Sequence, residues 1–337
     1  MDEAGWFAVL ESKEVGKKPL GVRRLGRDLV FWRKAEGTLV CQEDMCPHRR
    51  TKLSLGKVQN DCIECPFHGF LFDAEGACAR IPAHGDDVSR IPDAMHVRTR
   101  PVREAHGFVW LWGSDVAEPT PGPVSWFPEL EGHVHSGFRS TWNAHFTRAI
   151  ENQLDFAHLP FVHRTTIGVF SPKQDFDVET INEPGRVRAQ FGGATSGGGF
   201  IEWREPNVWT NWVGMGYIFV AFAPVDEETT EMYLRFYHRV KIPLVRQIWE
   251  LLMQPMNRVI LGQDQPVVEV QTPRESRLRI PEVLVDFDRP IVAYRKQREQ
   301  RLLQAPGAAV HPAVSSDEAP PEAPDDPTAP DDSDAAA

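Results

Sequence analysis

Cys46-Pro47-His48 and, sixteen residues on, Cys65-Pro66-Phe67-His68 are the stretches that decide the reading of this chain. From composition, a given Cys meets the other three residues at these offsets roughly 2 times in 100,000, so the pattern carries information. Two thiolates can hold one iron of a [2Fe–2S] cluster and two neutral imidazoles the other, which raises its reduction potential above that of an all-Cys cluster. Each loop then supplies one ligand to each iron. Two cysteines with two histidines are also a zinc set, usually in the order two Cys then two His, whereas here the two types alternate. Cys41, Cys62 and Cys78 read as small apolar fillers of strands. His84, His96 and His106 lack any paired spacing.

Around the two loops the first 115 residues predict short strands and turns. Trp6–Leu10, Leu29–Trp32, Thr38–Cys41, Phe70–Phe72, Ala77–Ile81 and Phe108–Trp112 are strand candidates, with turns at Glu36-Gly37 and Asp73-Ala74-Glu75-Gly76. Short strands at this spacing imply a small β-sandwich or barrel. Between Ser114 and Gly132, Pro119, Pro121, Pro123 and Pro128 mark a domain boundary. A helix is expected over 141–159, stopped by Pro160. Residues 176–240 return to strand character, with Val208–Phe222 and Met232–Val240 joined by the turn after Pro224. Apolar residues at helical spacing from Leu244 to about Leu261 predict a long helix that Pro255 can kink. The second domain is therefore α+β, an antiparallel sheet packed by a long helix.

The chain has 337 residues, 41% hydrophobic and 25% charged, with a formal charge of −11. Eight acids and seven prolines lie in 305–337, without Lys or Arg. That segment cannot bury enough apolar surface to offset its ordering entropy and is expected to be disordered. Without it the charge is −3, which excludes a body built to neutralise phosphates. No apolar run reaches 18 residues, and the N-terminus lacks a basic, then apolar, leader. The expectation is a cytoplasmic protein. Five cysteines, all within the first 80 residues, point to metal or redox chemistry over a disulfide framework.

The paired loops, the Phe67-His68-Gly69 tip and Ile81-Pro82-Ala83 resemble a Rieske iron–sulfur domain. Respiratory members of that group add a Cys to each loop; Thr51 and Phe67 stand there instead. The chain also lacks their membrane anchor, so the resemblance is to the oxygenase or ferredoxin branch.

A free ferredoxin would end near residue 115. Beyond the linker comes Glu151-Asn152-Gln153-Leu154-Asp155-Phe156-Ala157-His158, followed by His163. Asp155 and His158 are three apart and would share a helix face. Pro160 would let His163 fold back beside His158. Two imidazoles and one carboxylate on one face of Fe(II) leave adjacent positions open for water, O2 and substrate. Asp264, 101 residues after His163, is the candidate carboxylate; by itself it also reads as a solvated helix-end acid.

With this motif, residues 5–300 resemble the catalytic α subunit of a Rieske non-haem iron oxygenase. The resemblance implies an all-β Rieske domain over 1–115, a linker over 116–135, and a helix-grip, START-like catalytic domain over 136–304. It implies a [2Fe–2S] cluster on Cys46, His48, Cys65 and His68, and Fe(II) on His158, His163 and Asp264. It further implies an α-only homotrimer in which Asp155 links His68 of one subunit to His158 of the next. The activity implied is hydroxylation or oxidative demethylation of a small aromatic or cyclic substrate. O2 would be used, with electrons from a ferredoxin or an NAD(P)H-dependent reductase. A Rieske electron-transfer or structural metal protein without catalytic iron stays open as the alternative. Trp203, Trp209, Trp212 and Tyr217 are candidate pocket residues or core. Alternation puts Trp209 and Trp212 on opposite strand faces. Arg49, Arg50 and Lys52 could receive an acidic redox partner, or simply form a solvated loop.

Overall fold

A computed structural model of the protein describes residues 2–116, 118–170, 178–191 and 199–304. The acidic segment 305–337, expected to be disordered, lies outside the described residues.

The first domain holds three small antiparallel sheets among its described residues. They are formed by β1 (Trp6–Glu11), β2 (Leu20–Arg24), β3 (Arg27–Arg33), β4 (Leu39–Glu43), β5 (Lys57–Gln59), β6 (Cys62–Glu64), β7 (Leu71–Phe72), β8 (Cys78–Arg80), β9 (Val102–Ala105) and β10 (Phe108–Trp112). The orders are β2-β3-β4, β5-β6-β7-β8 and β1-β10-β9. Val30, Trp32, Ile63 and Phe72 form one core, and the side chains of Cys46 and Cys65 belong to it. Gln42 joins the sheets: it accepts from Trp32 Nε1 at 3.1 Å and donates to the Asp73 carbonyl at 2.7 Å.

The third sheet is shared. Phe7 and Val9 pack in one cluster with Trp142, Trp209 and Phe222, while Trp6, Ala8 and Trp110 pack in another with Phe219 and Tyr233. The fully buried Asn207 clasps the two domains. Its amide accepts from Ala8 N at 3.0 Å and donates to the carbonyls of Ala8 and Phe222 at 2.9 and 3.0 Å. Such pairing satisfies edge groups that would otherwise be buried bare.

The second domain begins with β11 (Val134–Trp142), then α1 (Phe146–Leu154) and α2 (Leu159–Val162). Strands β12 (Val178–Glu183), β13 (Arg186–Phe191), β14 (Phe200–Arg204), β15 (Val208–Trp212), β16 (Tyr217–Pro224) and β17 (Thr230–His238) complete an antiparallel sheet of order β11-β17-β16-β15-β14-β13-β12. Helices α3 (Pro243–Val268) and α4 (Arg289–Gln304) follow. Helix α1 packs on β14 and β16, α3 on β11 and α4 on β13, which is the expected helix-grip arrangement. No described helix is long and apolar enough to cross a membrane.

Three local expectations are corrected. Residues 208–222 form a hairpin, because Gly214 (φ 77°) turns the chain between β15 and β16. The helix expected over 141–159 is shorter: β11 takes 141–142, and Asp155 ends α1 by turning extended (φ −92°, ψ 132°). Pro160 does not stop a helix; it lies in the first turn of α2, where its missing N–H costs no hydrogen bond. Helix α4 has no apolar stripe to announce it. Its inner face carries Arg295 and Arg298, both buried against Glu151, Glu282, Glu3 and Glu275.

Candidate metal centres

The loops after β4 and β6 repeat one backbone design. Cys46 N–H donates to Thr51 O at 2.9 Å, and Arg50 N–H to Cys46 O at 2.9 Å. Nineteen residues on, Cys65 N–H donates to Phe70 O at 2.8 Å, and Gly69 N–H to Cys65 O at 3.0 Å. Arg50 (φ 60°) and Gly69 (φ 71°) take the left-handed conformation at the equivalent place. Gly69 is also close-packed, since a Cβ there would lie 3.2 Å from the Pro82 ring. Asp44 holds the first loop by accepting from Ser54 N and Oγ at 2.7 and 2.6 Å.

The four donors sort into two pairs. Cys46 and Cys65 are each 1% exposed and lie in the same core cluster, close enough for the Cys65 thiol to perturb that of Cys46. His48 and His68 are exposed, with ring centroids 4.7 Å apart. Burial pushes the Cys46 thiol up to about 11, so a thiolate there calls for a metal cation. One buried sulfur pair and one exposed nitrogen pair suit two adjacent irons. A single zinc needs four donors converging on one point, and no group of three of these donors meets within 4.8 Å. Cys41 and Cys62 are buried and Cys78 half-buried, as expected of strand fillers.

The second centre does converge. Among the described residues, His158, His163 and Asp264 form a potential metal-binding group with one donor atom each, all within 4.8 Å. His158 and His163 bracket α2, and their rings are 5.2 Å apart. Asp264 enters from α3, with Oδ1 3.0 Å from His163 Nε2 and 3.5 Å from His158 Nε2. Asp264 and His163 are 3% and 1% exposed. Burial would raise the Asp264 carboxyl, but the two imidazoles hold it below its ordinary range. Burial would lower His158, yet the carboxylates of Asp155 and Asp264 push it up to about 9. Asp264 Oδ1 has no hydrogen-bond partner within the chain. A buried carboxylate oxygen facing two imidazole nitrogens is a donor set suited to Fe(II).

Asp155 reaches His158 without a shared helix face. Its Oδ1 accepts from Ala157 N at 2.7 Å, closing a turn, and Oδ2 lies 3.6 Å from His158 Nδ1. Sequence reading missed Gln263. Its Oε1 lies 2.9 Å from His163 Nδ1 and accepts from Thr166 Oγ1 at 2.8 Å, and its Nε2 donates to Thr165 at 2.9 Å. No spacing rule identifies this residue.

A cavity of about 100 Å3 opens on the three donors. Trp209 lines it with Phe156, Ile201, Ile218 and Leu234. Trp203 is core instead, edge-on to Tyr294 at 4.9 Å. Trp212 and Tyr217 pack on one another at 4.7 Å, away from this cavity. A wider cleft of about 770 Å3 between Trp6, Glu205 and Arg301 holds none of the donors; the chemistry belongs to the smaller cavity. Arg49, Arg50 and Lys52 are exposed beside the cluster loops.

An exposed imidazole pair over buried thiols, together with a separate centre of two imidazoles and one carboxylate under an antiparallel sheet, defines a two-domain iron protein of the Rieske oxygenase class. Residues 5–99 match the family described as Rieske [2Fe-2S] domain, and residues 142–304 the vanillate O-demethylase oxygenase C-terminal domain. The chain belongs to the Rieske non-haem iron oxygenases, whose cofactors are the [2Fe–2S] cluster and a mononuclear Fe(II).

It is 29% identical to 4beta-methylsterol monooxygenase of Methylococcus capsulatus, over 91% of this chain and 92% of that one. It is 31% identical to the oxygenase component of dicamba O-demethylase from Stenotrophomonas maltophilia, over 47% of each chain. Many curated relatives are likewise matched over about half their length or less. The crystal structure of dicamba monooxygenase bound to dicamba shares the fold, with a TM-score of 0.76 and 22% identity over 89% of this chain and 98% of that one.

Proposed function

We propose that this chain is the oxygenase component of a multi-component system that uses O2 and reductant to hydroxylate or oxidatively demethylate a small organic substrate. The carrying observation is the His158–His163–Asp264 group at the wall of an apolar cavity, which an electron carrier would not need. In this reading Cys46, His48, Cys65 and His68 hold the cluster, and His158, His163 and Asp264 hold the Fe(II). When bound, the cluster passes single electrons and the mononuclear iron supplies O2 activation. The protein's part is orientation and exclusion of water. The fold itself screens Asp264 and His163 from water, at 3% and 1% exposure, and Gln263 holds the His163 ring.

The same reading assigns 1–115 to the Rieske domain, 116–135 to the linker and 136–304 to the catalytic domain. It includes a cytoplasmic location and a homotrimer, with Asp155 as the link between His158 and His68 of a neighbouring copy. The exposure of His68 and the half-buried position of Asp155 support that link. A ferredoxin or reductase would meet the face carrying Arg49, Arg50 and Lys52. The names of the relatives favour an aromatic or cyclic substrate.

The test is Asp264→Ala. The variant should keep the visible spectrum of the cluster, lose about one of three irons per chain, and lose turnover. Full iron content with undiminished activity would refute the ligand set and with it the oxygenase reading.

A further inference from the structure

The wall of the small cavity carries polar atoms that the protein itself does not use. Trp209 is 3% exposed, yet its Nε1–H has no partner. Asn211 lies two residues along β15 and therefore on the same face. Its Oδ1 is buried and unpartnered, although its cross-strand neighbours are Ile201 and Ile218, both apolar. From α1, Asn152 presents an unpartnered Nδ2 to the same cavity. Buried polar groups are normally paired, and leaving one bare destabilises the fold. Three such atoms on one small cavity are the complement of a missing polar group.

Charge narrows what that group can be. No Lys or Arg is among the described residues that line the cavity, while Asp155 and Asp264 both are. A ferrous ion held here would be balanced by those two carboxylates, leaving the lining no net positive charge. An anionic head group would find donors in Trp209 and Asn152 but no guanidinium or ammonium group among the described lining residues to balance its charge. A neutral amide or hydroxyl uses all three atoms: its oxygen accepts from Trp209 and Asn152, and its N–H or O–H donates to Asn211. The rest of the wall, Phe156, Ile201, Ile218 and Leu234, suits an apolar body.

Resting on the oxygenase reading above, we propose that the substrate is a neutral, largely apolar molecule anchored by one amide or hydroxyl group, with Trp209, Asn211 and Asn152 setting that specificity. A site built to hydrogen-bond a polar group rejects the analogue that lacks it far more strongly than an apolar pocket rejects an added one. Asn211 is therefore the position where preference is most easily changed. Leucine fits there, since both of its sheet neighbours are isoleucine.

The test uses three matched probes, 3-methoxybenzamide, 3-methoxybenzoate and 3-methoxytoluene, titrated calorimetrically into the iron-loaded protein. The amide should bind at least about tenfold more tightly than either of the others. Asn211→Leu and Trp209→Phe should each remove most of that advantage while changing the affinity for 3-methoxytoluene less than about threefold. Tightest binding of the benzoate would overturn the proposal. So would no measurable binding of the amide, or an equal loss for all three probes in the variants. Product analysis of the same samples separates the two readings. Selective amide binding without demethylation of any probe would count against the oxygenase function alone, whereas demethylation led by the benzoate would count against the specificity alone.

Discussion

Oε1 of Gln263 lies 2.9 Å from Nδ1 of His163, one residue along α3 from the carboxylate that faces the other nitrogen of the same ring. The amide of Gln263 is itself held by Thr165 and Thr166, so its oxygen is presented to the ring. Nδ1 must then carry the proton and donate it, leaving the Nε2 lone pair directed at Asp264. Metal-binding histidines are commonly fixed in tautomer and orientation this way.

Replacing Gln263 with Leu should weaken Fe(II) binding about 10–100-fold, while Gln263→Glu, which keeps an acceptor, should largely restore it. Competition with a chelator under anaerobic conditions measures this, and the cluster spectrum reports that the first domain is undisturbed. Unchanged iron affinity in Gln263→Leu would show that the contact orients nothing.

At the other centre, His48→Cys replaces a neutral imidazole with a thiolate and adds negative charge at one iron. The midpoint potential should fall toward the roughly −400 mV of all-thiolate clusters. Redox titration of the visible spectrum reads the shift. A potential that stays at the wild-type value would remove His48 from the ligand set.

Asp155→Asn keeps the size of the side chain and an oxygen for Ala157 N–H. It removes the charge 3.6 Å from His158 Nδ1. Both metals should stay loaded and the cluster reducible, while product formation falls by orders of magnitude. Iron analysis with single-turnover oxidation of the cluster separates this from a local role: rapid oxidation coupled to product would exclude the bridge, and iron loss would make Asp155 a support of His158 only.

Glu3 ties the N-terminus to α4. It is 6% exposed and lies 3.1 Å from Arg298, with Arg301 also in contact. Burial alone would raise its carboxyl, but the two guanidinium groups hold it at about 2, against an ordinary 4.5. A depressed acid adds stability that is fully present above about 4.5 and lost as pH falls toward 2. The ion pairs are worth on the order of 3 kcal/mol at neutral pH. Glu3→Gln should therefore lower stability to urea clearly at pH 7, with the gap to wild type closing near pH 2. An equal gap at both pH values would assign the effect to packing.

Much of this was legible in the linear chain because the informative residues are close in sequence. The second cluster loop is the tip of the β6–β7 hairpin and the first links two sheets, yet both close on the same backbone hydrogen bonds over five residues, so Cys46-Pro47-His48 and Cys65-Pro66-Phe67-His68 carry their geometry in their spacing. His158 and His163 flank a single short helix, and apolar runs and turns marked β1, β3, β4, β7, β8 and β10 of the first domain, though not β2, β5, β6 or β9. The errors lay where a local rule had two solutions. Pro160 can end a helix or open one, and the extended backbone of Asp155 chose between them. Val208–Phe222 is apolar enough for one long strand, but Gly214 folds it into two. Helix α4 carries no regular apolar stripe because Ile291, Ala293 and Tyr294 of its buried face are followed by the paired Arg295 and Arg298.

By itself, then, the order of residues determined the cluster loops, the paired histidines and the two-domain plan, since each rests on contacts over a few residues. Only the tertiary structure decided that Asp264 rather than another acid meets those histidines, that Gln263 holds His163, and that Trp209 turns to the cavity while Trp203 is core. Those outcomes depend on how a helix about 100 residues downstream packs beside α2, and on what covers the sheet face that the cross-strand partners Trp203 and Trp209 share, Tyr294 of α4 at one and the cavity at the other. Packing of distant segments against each other leaves no periodic mark in a single sequence.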